Sequence, residues 1–219
     1  MWAGPKAEMA AIVVAQNLSK AFGSNVVLRD FNLTVNDGEV VALVGGAGAG
    51  KSTVLKIISA DLRPDAGSAS VCGYDTVLQA GMVRPRVGVV QHERFLEGGL
   101  SGRENLDEQA MLRFYTPIDA EQRIGELLPL VALGDRIEAR ASTYSMDEWA
   151  RLELAACLIH RPQLLIVDDP ARGCDAVGRE KVLTALRLLR PQVKSVLFAT
   201  PDASEAEALG ARIVRIKHD

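Results

Sequence analysis

The residues equipped for chemistry start with Lys51 and Ser52, near the end of the run Gly45-Gly46-Ala47-Gly48-Ala49-Gly50-Lys51-Ser52-Thr53. Glycine at this density lets consecutive backbone N–H groups turn inward and surround a phosphate. Lys51 would reach the β- and γ-phosphates and Ser52 would ligate Mg²⁺, so the run reads as a nucleoside triphosphate site. A second set of oxygens closes the stretch Leu164-Leu165-Ile166-Val167-Asp168-Asp169. Asp168 is expected to hold the Mg²⁺ water shell, and Asp169 to stand beside the γ-phosphate as base or water-orienting group. Gln91 is a third candidate, as a Mg²⁺ ligand or a sensor of the γ-phosphate, although taken alone a strand-end glutamine reads first as a solvated side chain. Phe22 offers a ring to stack on a purine, or simply a hairpin phenylalanine; the residues alone leave both open.

Specific elements must hold these groups. The apolar run Val40 to Val44 before the glycines, and Val54 to Ile58 after them, predict strand, loop and helix, with the positive end of the helix dipole aimed at the phosphate. Leu164 to Val167 predicts a fully buried strand that delivers two carboxylates at its carboxyl end, the side on which α/β proteins bind ligands. Arg86 to Gln91 predicts another such strand, Ser195 to Thr200 and Ile213 to Ile216 two more. Ahead of the glycine loop, Ile12 to Ala15, Val26 to Leu28 and the alternating Phe31 to Val35 predict an antiparallel layer, with Asn36-Asp37-Gly38 as a hairpin turn into the loop strand. Ser68 to Tyr74 predicts a further strand.

From His92 to about Pro162 the pattern turns helical. Asp119 with Gln122 resembles a capping box, and Ile124, Leu127, Leu128 and Val131 share one face. Ser145 and Glu148 form an S-x-x-E cap before the stripe Trp149, Leu152, Ala156. Val182, Leu183, Leu186 and Leu189 predict the next amphipathic helix, and Ser204 to Leu209 a short one.

With 219 residues, of which 48% are hydrophobic, the chain can bury one substantial core. A net charge of -3 gives no basic field, so no nucleic-acid partner is expected. Cys72, Cys157 and Cys174 lack metal-ligand spacing and read as reduced, buried thiols of a cytosolic protein. No apolar run is long enough to span a bilayer, and Met1 to Lys6 shows no signal-peptide core, so a soluble protein is expected.

In sum, Phe22, Gly45 to Thr53, Gln91, Arg103-Glu104-Asn105-Leu106, the helical stretch, Leu164 to Pro170 and Gly173-Cys174-Asp175 resemble the nucleotide-binding subunit of ATP-binding cassette (ABC) transporters across almost the whole chain. The stretch Pro201 to Glu207 is similar to its counterpart in drug-export members. The resemblance implies an α/β fold: a RecA-like P-loop NTPase core, about 10–91 and 163–219, with an antiparallel β subdomain and an α-helical subdomain inserted at about 92–162. It implies Mg²⁺ and ATP as cofactors, adenine stacking for Phe22, coupling of the γ-phosphate to a membrane-spanning subunit for Gln91, and a dimer-facing Asp175. It also implies a second ATP-binding subunit, the same chain or another, and a cytoplasmic position on the inner face of the membrane. Phe95, Leu96 and Leu100 would give the membrane subunit an apolar groove, unless they are core residues.

Three departures stand out. The signature Leu-Ser-Gly-Gly-Gln of the family is here Tyr144-Ser145-Met146-Asp147-Glu148, which retains only the serine. Met146 and Asp147 add bulk at a point of close backbone approach, and Asp147 with Glu148 would place negative charge toward the partner's phosphate. The catalytic glutamate is Asp169, one methylene shorter, and the switch histidine is Pro201, which has neither an imidazole nor a backbone N–H. The resulting expectation is a subunit that binds ATP and hydrolyses it weakly or not at all. The alternative is a regulatory or structural nucleotide-sensing module that does not drive transport.

Overall fold

A computed structural model describes residues 10–91 and 95–216. The expectation for Met1 to Lys6 and the start of the helical stretch at His92 lie outside those residues. β1 (Ala11–Phe22) and β2 (Asn25–Asn36) form an antiparallel hairpin around Gly23. Asn17 and Asp30 adopt φ of +51° and +47°, and the pairing of β1 with β2 shifts register between Ala15 and Leu18. Such irregularities break the alternation, so the sequence reads as several short strands where the ladder is in fact continuous.

After the turn at Asn36-Asp37-Gly38 comes β3 (Val40–Val44), and here the hairpin expectation is corrected. The turn forms, with the Glu39 N–H donating to Asn36 O at 3.1 Å. β3 nevertheless leaves β2 and enters a different sheet, because both its faces are apolar and demand cover on both sides.

The chain continues through α1 (Lys51–Ile58), β4 (Ala66–Val71), β5 (Tyr74–Asp75), α2 (Ala80–Val83) and β6 (Val87–Val90). Next come α3 (Gly102–Met111), α4 (Pro117–Val131), α5 (Met146–Cys157), β7 (Leu164–Asp168), α6 (Ala176–Leu189), β8 (Ser195–Thr200), α7 (Ala203–Ala208) and β9 (Arg212–Arg215). Two sheets result: an antiparallel one in the order β2-β1-β4-β5, and a parallel one in the order β6-β7-β8-β3-β9. Alternate residues of each parallel strand feed two cores. Val41, Leu43, Leu164 and Ile166 join α1 and the antiparallel sheet, whereas Ala42, Val44, Leu165 and Val167 join the helices α3 to α6. Among the described residues, no helix is long and apolar enough to cross a membrane.

The helix starts follow local chemistry. Ser145 and Glu148 make the expected reciprocal capping box on α5. For α4 the cap is Thr116, which accepts from the Asp119 N–H, so the Asp119 and Gln122 reading is corrected by three residues. Pro117 at the first helical position supports that earlier start. α3 carries a second reciprocal box, Ser101 with Glu104.

Candidate nucleotide site

The glycine loop leaves the tip of β3 and enters α1, as its sequence requires. It is packed tightly behind and open in front. A Cβ on Gly45 would lie 2.5 Å from Ile216 O, and one on Gly50 would lie 2.8 Å from Leu28 Cδ2, whereas one on Gly46 would meet nothing within 4 Å. Gly50 caps α1 at φ +92° and offers no side-chain cap. The first-turn N–H groups of α1 therefore lack intrahelical acceptors, which makes that end of the helix suited to an anion. Lys51 Nζ donates to Gly45 O at 2.7 Å and Gly46 O at 2.8 Å, which holds the ammonium at the mouth of the loop.

Phe22 ends β1 opposite Asn25, and the neighbouring strand lays Val27 and Leu28 against Gly50, so the hairpin end flanks the loop. The ring is 52% exposed. Asp65 fixes this end by accepting from Lys20 Nζ at 2.7 Å and the Ala21 N–H at 2.8 Å, which holds its carboxyl below the usual range. Lys20 Nζ in turn sits 5.6 Å from the Phe22 centroid.

Asp168 ends β7 and is buried at 5% exposure. Asp169 follows at φ +56°, with its N–H donating to Ala199 O at 2.8 Å. Aspartate tolerates this left-handed geometry better than most residues. Gln91, Asp168 and Asp169 line one cavity of about 70 Å³ with Met146, Trp149 and Glu153 of α5. The Gln91 amide, however, donates to Asp61 Oδ2 at 3.0 Å, toward the C-terminal end of α1. Ser52 and Asp168 are hard oxygen donors that suit Mg²⁺. Among the described residues no cluster of three His, Cys, Asp or Glu side chains surrounds a metal position. An ion bound here would take its remaining ligands from phosphate and water, as Mg²⁺ commonly does.

The signature segment corrects one expectation. Asp147 and Glu148 do not present bare charge to a phosphate. The Ser145 hydroxyl donates to Asp147 Oδ1 at 2.7 Å, Arg151 Nη2 donates to Oδ2 at 2.8 Å, and Lys181 Nζ lies 3.8 Å away. Burial pushes the Asp147 carboxyl up, but Ser145 and Arg151 outweigh it and hold it below its ordinary value. Glu148 accepts from the Ser145 N–H at 2.9 Å and pairs with Arg136 at 2.9 Å. Room for the bulkier side chains comes from two glycines. A Cβ on Gly173 would lie 3.1 Å from Met146 Cε, and one on Gly178 would lie 3.1 Å from the Asp147 Cβ.

Elsewhere, Asp175 caps α6 by accepting from the Gly178 N–H at 2.7 Å. Pro201 follows β8 beside Asp202, which caps α7 and pairs with Arg179 at 3.1 Å. Asn105 is fully buried and holds the preceding loop, accepting from the Glu97 N–H at 2.7 Å and donating to Ser101 O at 2.9 Å. Leu96 is buried, while Phe95 is partly exposed and lines a cavity of about 550 Å³ with Gln91, Asp61 and Arg84. The cysteines are unpaired thiols, and burial pushes Cys157 up, away from thiolate chemistry. Sequence reasoning missed Arg151, Lys181 and the two accommodating glycines; the Asp147 and Arg151 spacing of four was the available signal.

A glycine loop between an internal parallel strand and its helix, with an acidic strand tip on the same carboxyl edge of the sheet and helices inserted between β6 and β7, defines a P-loop nucleotide-binding module. The ABC transporter family model matches residues 28–172, over half of the chain, and the chain belongs to that family. It is 34% identical over 206 residues to the daunorubicin/doxorubicin resistance ATP-binding protein DrrA of Streptomyces peucetius, covering 94% of this chain and 62% of that protein. It is 35% identical over 201 residues to the daunorubicin resistance ATP-binding protein DrrA3 of Streptomyces coeruleorubidus, covering 92% and 64%. The chain thus spans less than two thirds of the length of these relatives. Among solved structures, a dimeric ATP-binding cassette in a post-hydrolysis state, bound to ADP and Pi, superposes with a TM-score of 0.80 at 26% identity, covering 94% of each chain.

Proposed function

We propose that this chain is the ATP-binding subunit of an ABC exporter, with residues 10–91 and 163–219 as nucleotide core and 92–162 as helical arm. It binds Mg²⁺-ATP at a dimer interface with a second ATP-binding subunit and couples that event to a separate membrane-spanning subunit, on the cytoplasmic face of the membrane. The observation that carries the reading is the loop itself: open over Gly46, closed behind Gly45 and Gly50, with Lys51 at its mouth. The names of the similar drug-resistance proteins support export as the direction.

Within that site, Lys51 and the α1 N–H groups bind the phosphates, Ser52 and Asp168 hold Mg²⁺, and Phe22 stacks on the base. Gln91 would have to exchange its bond to Asp61 to serve the ion and the γ-phosphate. Asp175 faces the second subunit. Mg²⁺ supplies charge neutralisation between the phosphate oxygens when bound. Hydrolysis is weak. Asp169 is a short substitute for glutamate, Pro201 presents no proton donor, and the Ser145 hydroxyl that would meet the partner's phosphate is engaged by Asp147.

Equilibrium binding of a fluorescent ATP analogue tests the site. Lys51→Ala is expected to abolish it, and unchanged binding would remove the basis of the proposal. A nucleotide-sensing role without transport is favoured by the same Ser145 and Asp147 contact, and purification from membranes without a multi-span subunit would select it.

A further inference from the structure

Thr200 ends β8 in register with Val44, the residue that hands β3 over to the glycine loop, and it is fully buried. Two acidic residues hang from this strand tip. The Ala199 carbonyl accepts from the Asp169 N–H at 2.8 Å, and the Thr200 hydroxyl donates to Glu205 Oε2 at 2.7 Å. Glu205 is 3% exposed, so water does little to offset its charge. Burial pushes its carboxyl up, and the charges of Asp169 and Asp202 push the same way, against the Thr200 bond and Arg179. Asp202, by contrast, is held below its ordinary range by the Ser204 hydroxyl and N–H. The turn between them offers an anion little: Pro201 has no N–H, and the Asp202 N–H is taken by Thr200 Oγ1 at 3.0 Å.

Arg179 meets this group from α6. Its Nη1 donates to Asp202 Oδ2 at 3.1 Å, while its Nε is buried 3.4 Å from Glu205 Oε1 and outside hydrogen-bond geometry. Toward Glu205 it therefore acts as a charge more than as a formed hydrogen bond. Asp168, Asp169, Asp202 and Glu205 bring four carboxylates to the tips of β7 and β8 and the turn after β8, and Arg179 pairs with two of them. A third phosphate beside Asp169 adds negative charge where that group already repels it, unless a cation offsets the repulsion. We propose that Arg179 is a positioning residue that sets the preference of the site for a triphosphate over a diphosphate, by holding Asp202 and Glu205 and screening their charge from the γ-phosphate. The inference rests on the reading that the glycine loop binds ATP with its γ-phosphate beside Asp169.

Competition of ATP and of ADP against a fluorescent ATP analogue, on the full chain with Mg²⁺ in excess, reads the ratio of the two affinities. Arg179→Gln should lower the ATP-over-ADP ratio roughly fivefold, as for a unit charge lost from a partly solvated site. Arg179→Lys keeps the charge and should stay near the wild type. Asp202→Asn retains a good cap for α7 and removes one negative charge, so alone it should raise the ratio, and combined with Arg179→Gln it should restore it. These differences should shrink at high salt. A ratio unmoved by Arg179→Gln and Asp202→Asn, with only the thermal midpoint lowered, would make the cluster a structural tie and overturn the inference while the proposed function stands. An equal drop in Arg179→Lys would assign the effect to packing and overturn it as well. Should Arg179→Gln fail to fold, Asp202→Asn decides alone, and an unchanged ratio counts against the proposal. Absence of competition by ATP in the wild type removes the proposed function, and the inference with it.

Discussion

Gly178 of α6 faces Asp147 of α5 so closely that a Cβ on the glycine would lie 3.1 Å from the aspartate's own. Gly178 lies in the first turn of α6, where its N–H is taken by the Asp175 cap and glycine costs less than the roughly 1 kcal/mol of a helix interior. Here the missing side chain is what admits the Asp147 pair with Arg151, and Met146 finds the same accommodation at Gly173. The altered signature is thus a packed arrangement of this chain, with its own counterions and its own space.

Gly178→Val should therefore destabilise the protein by about 2 kcal/mol through overpacking. Asp147→Gly in the same chain should return part of that loss. The check is a double-mutant cycle in urea, with a coupling of at least about 0.5 kcal/mol expected between the two sites. Strict additivity would mean that the two side chains do not compete for the same space.

Arg151 holds more than Asp147. Its Nη1 donates to Val131 O at 2.6 Å and Ala132 O at 2.7 Å, where α4 ends in a left-handed residue. Arg151→Met removes the cation from a buried carboxylate and should cost about 3 kcal/mol. The Asp147 carboxyl is held low in the folded chain, so its contribution is present above the usual aspartate range and is lost as pH falls through the folded value. Asp147→Asn should consequently lag behind the wild type in stability near neutrality and converge with it in acid. Parallel curves at all pH would disprove the pairing.

How much of this was legible in the residues follows from range. The loop from Gly45 to Thr53, the tip at Asp168 and the cap at Ser145 are local patterns, and each lies where its spacing placed it. Partners distant in sequence were not legible. Nothing near Asp147 announces Lys181 or Gly178, and nothing near Gln91 announces Asp61, because the folded sheet order and not the spacing brings them together. Asn36-Asp37-Gly38 misled for a related reason: a turn signal specifies a reversal, while burial on both faces decides which sheet receives the next strand.

His160 makes a pH prediction of the same sign in a higher window, because here it is the neutral form that the fold favours. Its Nε2 lies 3.0 Å from Val87 O, and burial, reinforced by Arg113, lowers its pKa to about 4. The unfolded imidazole takes up a proton near its ordinary value, and the folded one resists until well below. Stability should thus fall as pH drops from about 6.5 toward 4, by about 2 kcal/mol at pH 5. His160→Gln keeps an amide donor without the titration. Denaturation of both proteins across this window should show a flatter curve for the variant, and identical slopes would refute the assignment.

Asp169 and Pro201 yield the prediction that bears most directly on turnover. The left-handed backbone at Asp169, φ +56°, suits aspartate, so Asp169→Glu should cost some stability, and under the proposed function it would extend the carboxylate toward the phosphate. Pro201→His returns both an imidazole and a backbone N–H after β8. A catalytic base without a donor for the γ-phosphate is incomplete, and the converse holds too, so the single changes should raise ATP turnover little. The double variant should raise it at least about tenfold, given that a placed acid or base contributes roughly 100-fold or more. Turnover is measured with the purified chain and Mg²⁺-ATP, alongside Lys51→Ala as the background. Robust turnover by the wild type above that background would show that Asp169 suffices, and weak hydrolysis would have to be abandoned.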